Sequence, residues 1–245
     1  MRLTVLALTA VPDTDTARQL HRLDDLDDAA VAKILFHRRK QETGHTERLR
    51  LVQQRIASLS LLTHADGRTD IKTMTVPEHA EDEALTSCFG CLKGGGRLVT
   101  WGGTSHAIPL LRLRAMRHGL RARSFWRTLA ATPEAHLDLR ATLLPAAETG
   151  PADLHDLASL LGLPGLLDTD ARDPWELRLA GDFQGLRARG EIEVLNLLLL
   201  ALRHWTLEGG MSRNAVARLQ AGLREALRQQ QAPHLRRFLD AWTAT

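Results

Sequence analysis

The sequence predicts an α/β fold, on three observations. Two stretches that alternate apolar and polar residues, 55–63 and 69–76, flank an Asp66-Gly67 turn, which is the signature of a hairpin. Helical periodicity lies on both sides of a short apolar strand at 97–101, so strands and helices interleave. A late segment, VLNLLLLAL at 194–202, is apolar around most of a helix circumference and belongs in the interior.

The elements follow in order. Residues 3–8 form an apolar strand that leaves the core at Val11-Pro12-Asp13. Residues 26–39 place Val31, Ile34 and Leu35 at helical spacing, and the hairpin comes next. A helix over 78–92 ends at Lys93-Gly94-Gly95-Gly96, where the glycines release the chain into the strand at 97–101. After Gly102-Gly103 comes another helix; Pro109 fits its first turn, where a missing N–H is harmless, and Leu113, Met116 and Leu120 make its expected apolar stripe. Further helices are expected over 153–161, 174–180 and 185–205. Beyond Gly209-Gly210, Ser212 is the expected N-cap of an amphipathic helix carrying Val216, Leu219, Leu223 and Leu227. A last helix carries Leu235, Phe238, Leu239 and Trp242. The apolar face of this tail must cover something, either the body of the protein or a partner.

At 245 residues the chain is long enough to bury a full α/β core. It contains no run of about 18 apolar residues, so no membrane-spanning helix or membrane partner is expected, and the expected location is cytoplasmic. The start, MRLTVLALTAVPDTDT, carries one positive charge and a short apolar run; a buried first strand explains it better than a signal peptide, because Pro and acids interrupt it. Lys and Arg number 32 against 29 Asp and Glu, a net charge of +3 that demands no nucleic-acid partner but permits a local basic face. Cys88 and Cys91 supply half of a four-thiolate zinc site, with only Lys93 beside them to activate a thiolate, so they read as structural.

Several motifs occur in an order that resembles one family. LALTAVPD at 6–13 resembles a first motif in which a strand carries Asp-x-Glu and then Thr-Val-Pro-Asp. LVTWGGTSHAIPLLRLRAMRHGL at 98–120 resembles a second, a strand ending Trp-Asn-Gly before a helix that begins Phe-Asp-x-Pro. HLDL at 136–139, LHDLASLLGLPG at 154–165 and RGEIEVLNLLLLALR at 189–203 resemble the later landmarks, the last being Tyr-x-x-x-Asp followed by Val-x-Asn on a long helix. The chain thus resembles the 3'-5' exonucleases related to the exonuclease domain of B-type DNA polymerases. The resemblance implies a ribonuclease-H-like fold with a mixed central sheet flanked by helices, an exonuclease-like domain over 1–210 and a C-terminal helical extension over 211–245.

Such enzymes resemble one another in using two metal ions about 3.5–4 Å apart, held by four carboxylates. Mg²⁺ or Mn²⁺ would be the cofactor of an active member, because hard cations take oxygen ligands. By this alignment the two acids of the first motif fall on Ala7 and Thr9. In the second, the Asn falls on Gly102, the aromatic on His106 and the acid on Ala107. In the third, the catalytic Asp falls on Glu193 and the water-orienting Tyr on Arg189. The chain has no Tyr at all, and Ala188 stands where a histidine variant would place its base. Glu193 is the one retained acid, either a remnant of the site or a solvated residue near its helix start. The expectation is therefore an exonuclease-like protein with no assigned metal ligand or catalytic residue and no cofactor, the alternatives being an active enzyme with a rearranged site and a purely structural subunit. Asp13 reads as a turn acid, His106 as a helix-start polar residue and Asp138 as a loop holder.

Loss of carboxylates also removes their repulsion of phosphate. Arg114, Arg117 and Arg121 fall on one helical face, with His118 beside them and Arg123 and Arg127 after, and are the candidate nucleic-acid-binding residues. A plain solvated face is the alternative. Trp101, Phe125 and Trp126 are candidates for stacking on bases or for the core. Single-stranded nucleic acid is the first candidate partner, and a protein docked on the C-terminal helices the second.

Overall fold

The computed structural model describes residues 2–77, 80–144, 154–169 and 171–244. In chain order these form β1 (Leu3–Pro12), α1 (Thr14–His21), α2 (Asp28–Thr43), β2 (Gln54–Ala65), β3 (Arg68–Thr75), α3 (Glu81–Leu92), β4 (Arg97–Thr100), α4 (Ala107–Arg117), α5 (Arg123–Ala131), β5 (His136–Asp138), α6 (Leu139–Leu143), α7 (Leu154–Leu160), α8 (Pro174–Leu179), α9 (Phe183–Leu207), α10 (Arg213–Arg228) and α11 (Pro233–Ala244).

The five strands form one sheet in the order β3-β2-β1-β4-β5. β1, β2 and β3 pair antiparallel, while β4 joins β1, and β5 joins β4, in parallel, so the sheet is mixed as the resemblance implied. The hairpin turns on Asp66 and Gly67, both at positive φ, a pair that suits the twist of a two-residue connection. Between Thr9 and Ala10 the β1–β2 register shifts, leaving Ala57 as the extra residue of a bulge at the end of β1.

Alternation along β1 assigns the two faces of the sheet. Leu3, Val5 and Ala7 join Ile192, Leu195 and Leu198 of α9 in one core, whereas Leu6 joins Leu59, Leu61, Leu85 and Leu111 in the other, under α3, α4 and α5. α9 is buried almost all round because α10 and α11 cover its far side: Leu219, Leu223, Leu227, Phe238 and Trp242 complete its core. Burying a Leu or Phe side chain is worth about 1.5–3 kcal/mol, which is ample reason for the tail to lie on the body. Gly190 lets α9 approach β2 closely, since a Cβ there would stand 2.1 Å from Ser60 Oγ. No described helix is long and apolar enough to cross a membrane.

Three features differ from the sequence reading. α1, α5 and β5 appear where no element is expected, each too short for its periodicity to stand out. The expected starts at Glu78 and Asp153 lie outside the described residues. Most consequentially, α4 is rotated: Ile108, Leu110, Leu111, Arg114 and Ala115 face inward, while Leu113 is 37% and Met116 71% exposed. Two stripes compete on this helix, and the one carrying more apolar area wins while Arg114 goes inside with it.

Candidate functional site

The positions that align with the first motif face α9. Ala7 pairs with Ser60, and Ser60 touches Gly190, so residues around Gly190 lie over the Ala7–Thr9 stretch of β1. Ala7 and Thr9 are both buried, presenting a methyl and a hydroxyl. The floor beside them is hydroxyl-lined: Ser58, Ser60, Thr73 and Thr75 are buried on neighbouring strands, and Ser60 Oγ lies 2.9 Å from Thr73 Oγ1. Arg189 and Glu193 sit one turn apart on α9. Arg189 donates to the Thr169 carbonyl at 3.2 Å. Among the described residues no hydrogen bond or ion pair reaches the Glu193 carboxyl. Burial pushes it up from its ordinary 4.5 to about 7, against the pull of the Arg189 guanidinium, so it titrates around neutrality.

The second aligned position sits where α4 begins. Ala107 is buried, and His106, just before it, makes no capping bond. Its Nε2 lies 2.8 Å from Gln54 Oε1, while Gln54 Nε2 donates to the Leu49 carbonyl at 2.7 Å. Gln54 therefore accepts and His106 Nε2 carries the proton. Burial, then the Arg48 charge, holds the His106 pKa down, so the ring is neutral at pH 7. These residues line a cavity of about 240 Å³ at the end of β1, with Phe36, Arg48 and Trp175. Asp173 at its rim caps α8, accepting from Trp175 N at 2.8 Å. The Arg48 guanidinium is exposed, and no described carboxylate pairs with it.

The remaining acids singled out from sequence have structural partners. Asp13 caps α1 through Thr16 N (3.1 Å) and Thr16 Oγ1 (2.8 Å). Asp138 accepts from Gly102 N and Thr104 N, both at 2.8 Å, and so holds the loop that leads into α4. Asn196 reaches from α9 to Gly165, accepting from its N–H at 3.1 Å and donating to its carbonyl at 2.7 Å, which locks the LGLPG turn onto the core.

Arg114 corrects the expected basic face. It is only 7% exposed, and its guanidinium is bound to Glu81 at both carboxylate oxygens and to Asp13 Oδ2 at 2.6 Å. His118 Nε2 and Ile56 N complete Glu81, at 2.9 and 2.8 Å. Desolvation opposes the charges, but these bonds outweigh it and hold Asp13 and Glu81 below the usual carboxylate range. Arg114 is thus buried and neutralised by two carboxylates rather than presented to a phosphate, and only Arg117 and Arg121 of the expected trio are exposed. Helical spacing alone does not reveal this, because Glu81 is 33 residues away in sequence. Of the aromatics, Phe125 is core, packed at 4.7 Å between ring centroids against Trp126, whose other side carries Arg112 at 4.6 Å. Trp101 is partly buried against the α9 core.

A mixed five-stranded sheet with a buried long helix over β1 and a second helix starting beside its end is the arrangement of a ribonuclease-H-like fold. The family model described as a predicted 3'-5' exonuclease related to the exonuclease domain of PolB matches residues 46–242, and the chain belongs to that family. The match runs through α10 and α11, so the tail is part of what is matched. No curated protein matches the chain.

The residues do not fit the family's divalent metals. Among the described residues no group of three His, Cys, Asp or Glu side chains could hold an ion. The positions assigned by the motif resemblance carry Ala7 and Thr9, which precede the matched residues, and Ala107, and the fourth, Glu193, has its carboxyl pushed up to about 7.

Proposed function

We propose that this protein is a catalytically silent 3'-5' exonuclease-like module that binds single-stranded nucleic acid. One observation carries the loss of catalysis: the buried positions that the motifs assign, Ala7, Thr9 and Ala107, carry a methyl, a hydroxyl and a methyl where two-metal hydrolysis needs carboxylates. The family match supports a nucleic-acid ligand, and so does the cleft beside β1, which offers Arg48 and the rings of Phe36 and Trp175, with Asp173 at its rim engaged in capping α8.

The test is calorimetric titration of Mn²⁺ and Mg²⁺ into the purified protein, with a cleavage assay on a labelled single strand and an anisotropy measurement of its binding. Strand binding with neither cleavage nor stoichiometric metal uptake is expected. Uptake of two metals with cleavage abolished in Glu193→Gln would overturn the reading in favour of an active exonuclease. A strand that does not bind would leave a structural subunit.

A further inference from the structure

We infer that a basic platform formed by the end of α4, the end of α3 and the outer face of α5 binds the phosphodiester backbone of a nucleic-acid strand, an inference that rests on the nucleic-acid reading above. Between Glu83 and Glu134 the chain has fifty residues without Asp or Glu, and they include eight Lys and Arg, more than the whole net charge of +3. Folding uses only part of that charge. Arg114 is neutralised inside, and Arg97 and Arg112 stack on Trp205 and Trp126. Lys93, Arg117, Arg121, Arg123 and Arg127 are exposed, and no described carboxylate pairs with them.

The shape of the surface matches its charge. Two adjoining depressions, of about 480 and 630 Å³, share Arg123 and Ser124; Lys93 and Arg121 line the first and Arg127 the second, and no acid lines either. The nearest acids along α3, Asp82 and Glu83, stand in its first turn, about 16 Å from Lys93 at 1.5 Å per residue. Arg123 and Arg127 lie one turn apart on α5, a like-charge pair that costs the helix a few tenths of a kcal/mol. Ala122 gives that helix no side-chain cap, so its first amides also remain available to an anion.

Concentrated cations with no counter-charge lose little by folding and gain when a polyanion releases its counterions. Four of the five are arginines, whose planar fork matches phosphate oxygens. The hydroxyls of Ser124 and Thr128 stand among the arginines that line the depressions, and apolar wall between them can meet bases, which suits a strand better than a flat lipid surface. α4 runs from the cleft at His106 to the platform at Arg117, a rise of about 15 Å, so one strand of a few nucleotides can engage both.

The experiment measures anisotropy of labelled 20-nucleotide oligo-dT and oligo-U with the full chain across a salt series. The variant Arg121→Gln/Arg123→Gln/Arg127→Gln is compared with wild type and with Arg213→Gln/Arg218→Gln/Arg236→Gln, a charge-matched change on the exposed faces of α10 and α11. All six arginines are exposed, and a thermal melt checks that both variants fold. The platform variant is expected to lose about tenfold in affinity or more at low salt, and its log K against log salt slope to be shallower by about 2, at roughly 0.7 per phosphate contact. The control should change less than about threefold. Equal loss on dT and U identifies the backbone as the ligand, and unequal loss identifies which nucleic acid the platform serves. Unchanged binding by the platform variant, or equal weakening by both variants, overturns this inference while leaving the reading of the cleft intact. A wild type that binds anionic vesicles but neither strand overturns both.

Discussion

Replacing Arg114 tests the account of the α4 interior more sharply than any surface change. Arg114→Met keeps much of the volume and removes the guanidinium that pairs with both Asp13 and Glu81, which are 2% and 5% exposed. Each acid keeps other partners: Thr16 for Asp13, and Ile56 N and His118 for Glu81. The loss should therefore fall within, not above, the roughly 3–5 kcal/mol typical of a broken buried pair. At pH 8 about 3–4 kcal/mol is expected. With a Tm change of about 2–4 °C per kcal/mol for a chain of this size, Tm should drop by about 6–16 °C. The sign with pH is fixed by the shifts. Both carboxyls lie below their ordinary values in the native protein, so their stabilisation is complete above the unfolded pKa near 4 and is lost as pH falls through the native values. Without Arg114 both carboxyls rise, and protonation near pH 5 relieves part of the cost. The defect should shrink between pH 8 and pH 5, and adding Glu81→Gln to the variant should recover part of it at pH 8. Urea melts at both pH values measure this. A loss under about 1 kcal/mol, or one equal to that of the exposed Arg117→Met, would refute the buried network.

Asn196→Leu should cost about 2–4 kcal/mol in the same melts, because it leaves the Gly165 N–H and carbonyl buried without partners; a loss under 1 kcal/mol would show that the LGLPG turn is held by other means. Gly190→Ala should destabilise by about 1–3 kcal/mol, since the new methyl meets Ser60, and hydrogen exchange in β2 would rise with it. Glu193→Gln should stabilise the protein by about 1–2 kcal/mol at pH 8, a figure kept low because Glu193 is partly exposed. The native carboxyl titrates near 7 and the unfolded one near 4.5, so wild-type stability falls as pH rises through that window and the variant should lose that slope. Identical slopes in both would place the carboxyl in water.

Local grammar made the hairpin, the strand after the triple glycine, the buried α9 and the amphipathic tail legible, because each is a periodic pattern bounded by turn residues. Ser212, read as an N-cap, does accept from Ala215 N. The orientation of α4 was not legible, since it depends on Glu81 and Asp13, which come from distant elements, and a lone helical wheel gives an arginine no reason to face inward. The positions of Ala7, Thr9, Ala107 and Glu193 could be assigned only through ordered motifs. What surrounds them, the hydroxyl floor on β2 and β3 and the Arg48–Gln54–His106 rim, comes from strand register and had no signal along the chain.

On the proposed reading, the absence of a carboxylate at Ala7, Thr9 and Ala107 alters the field around Glu193 as well as the ligand set. In a two-metal site, cations balance the acids, and neither can be withdrawn alone without a large charge remaining in a poorly solvated place. Here Ala7, Thr9 and Ala107 bear no charge, and the Glu193 carboxyl, pushed up to about 7 beside Arg189, is the negative charge that appears among these positions as pH rises. A unit charge acting on a phosphate is worth about 1 kcal/mol at 4 Å in water and about 4 kcal/mol at an effective dielectric of 20, so ionising Glu193 is a perceptible event for a bound strand. Ala10, at the edge of the cavity, is three residues from Ala7, or about 10 Å along β1. At that range the effect shrinks to roughly a factor of 2–5 in affinity. Strand binding should weaken by that factor from pH 6.5 to pH 8 at low salt, as Glu193 ionises. His106, held below its ordinary 6.5 by burial and the Arg48 charge, is mostly neutral over this range. In Glu193→Gln the pH dependence should vanish and affinity stay at its low-pH value. If wild type and variant fall together, the titrating group lies elsewhere, and the retained acid is remote from the bound strand.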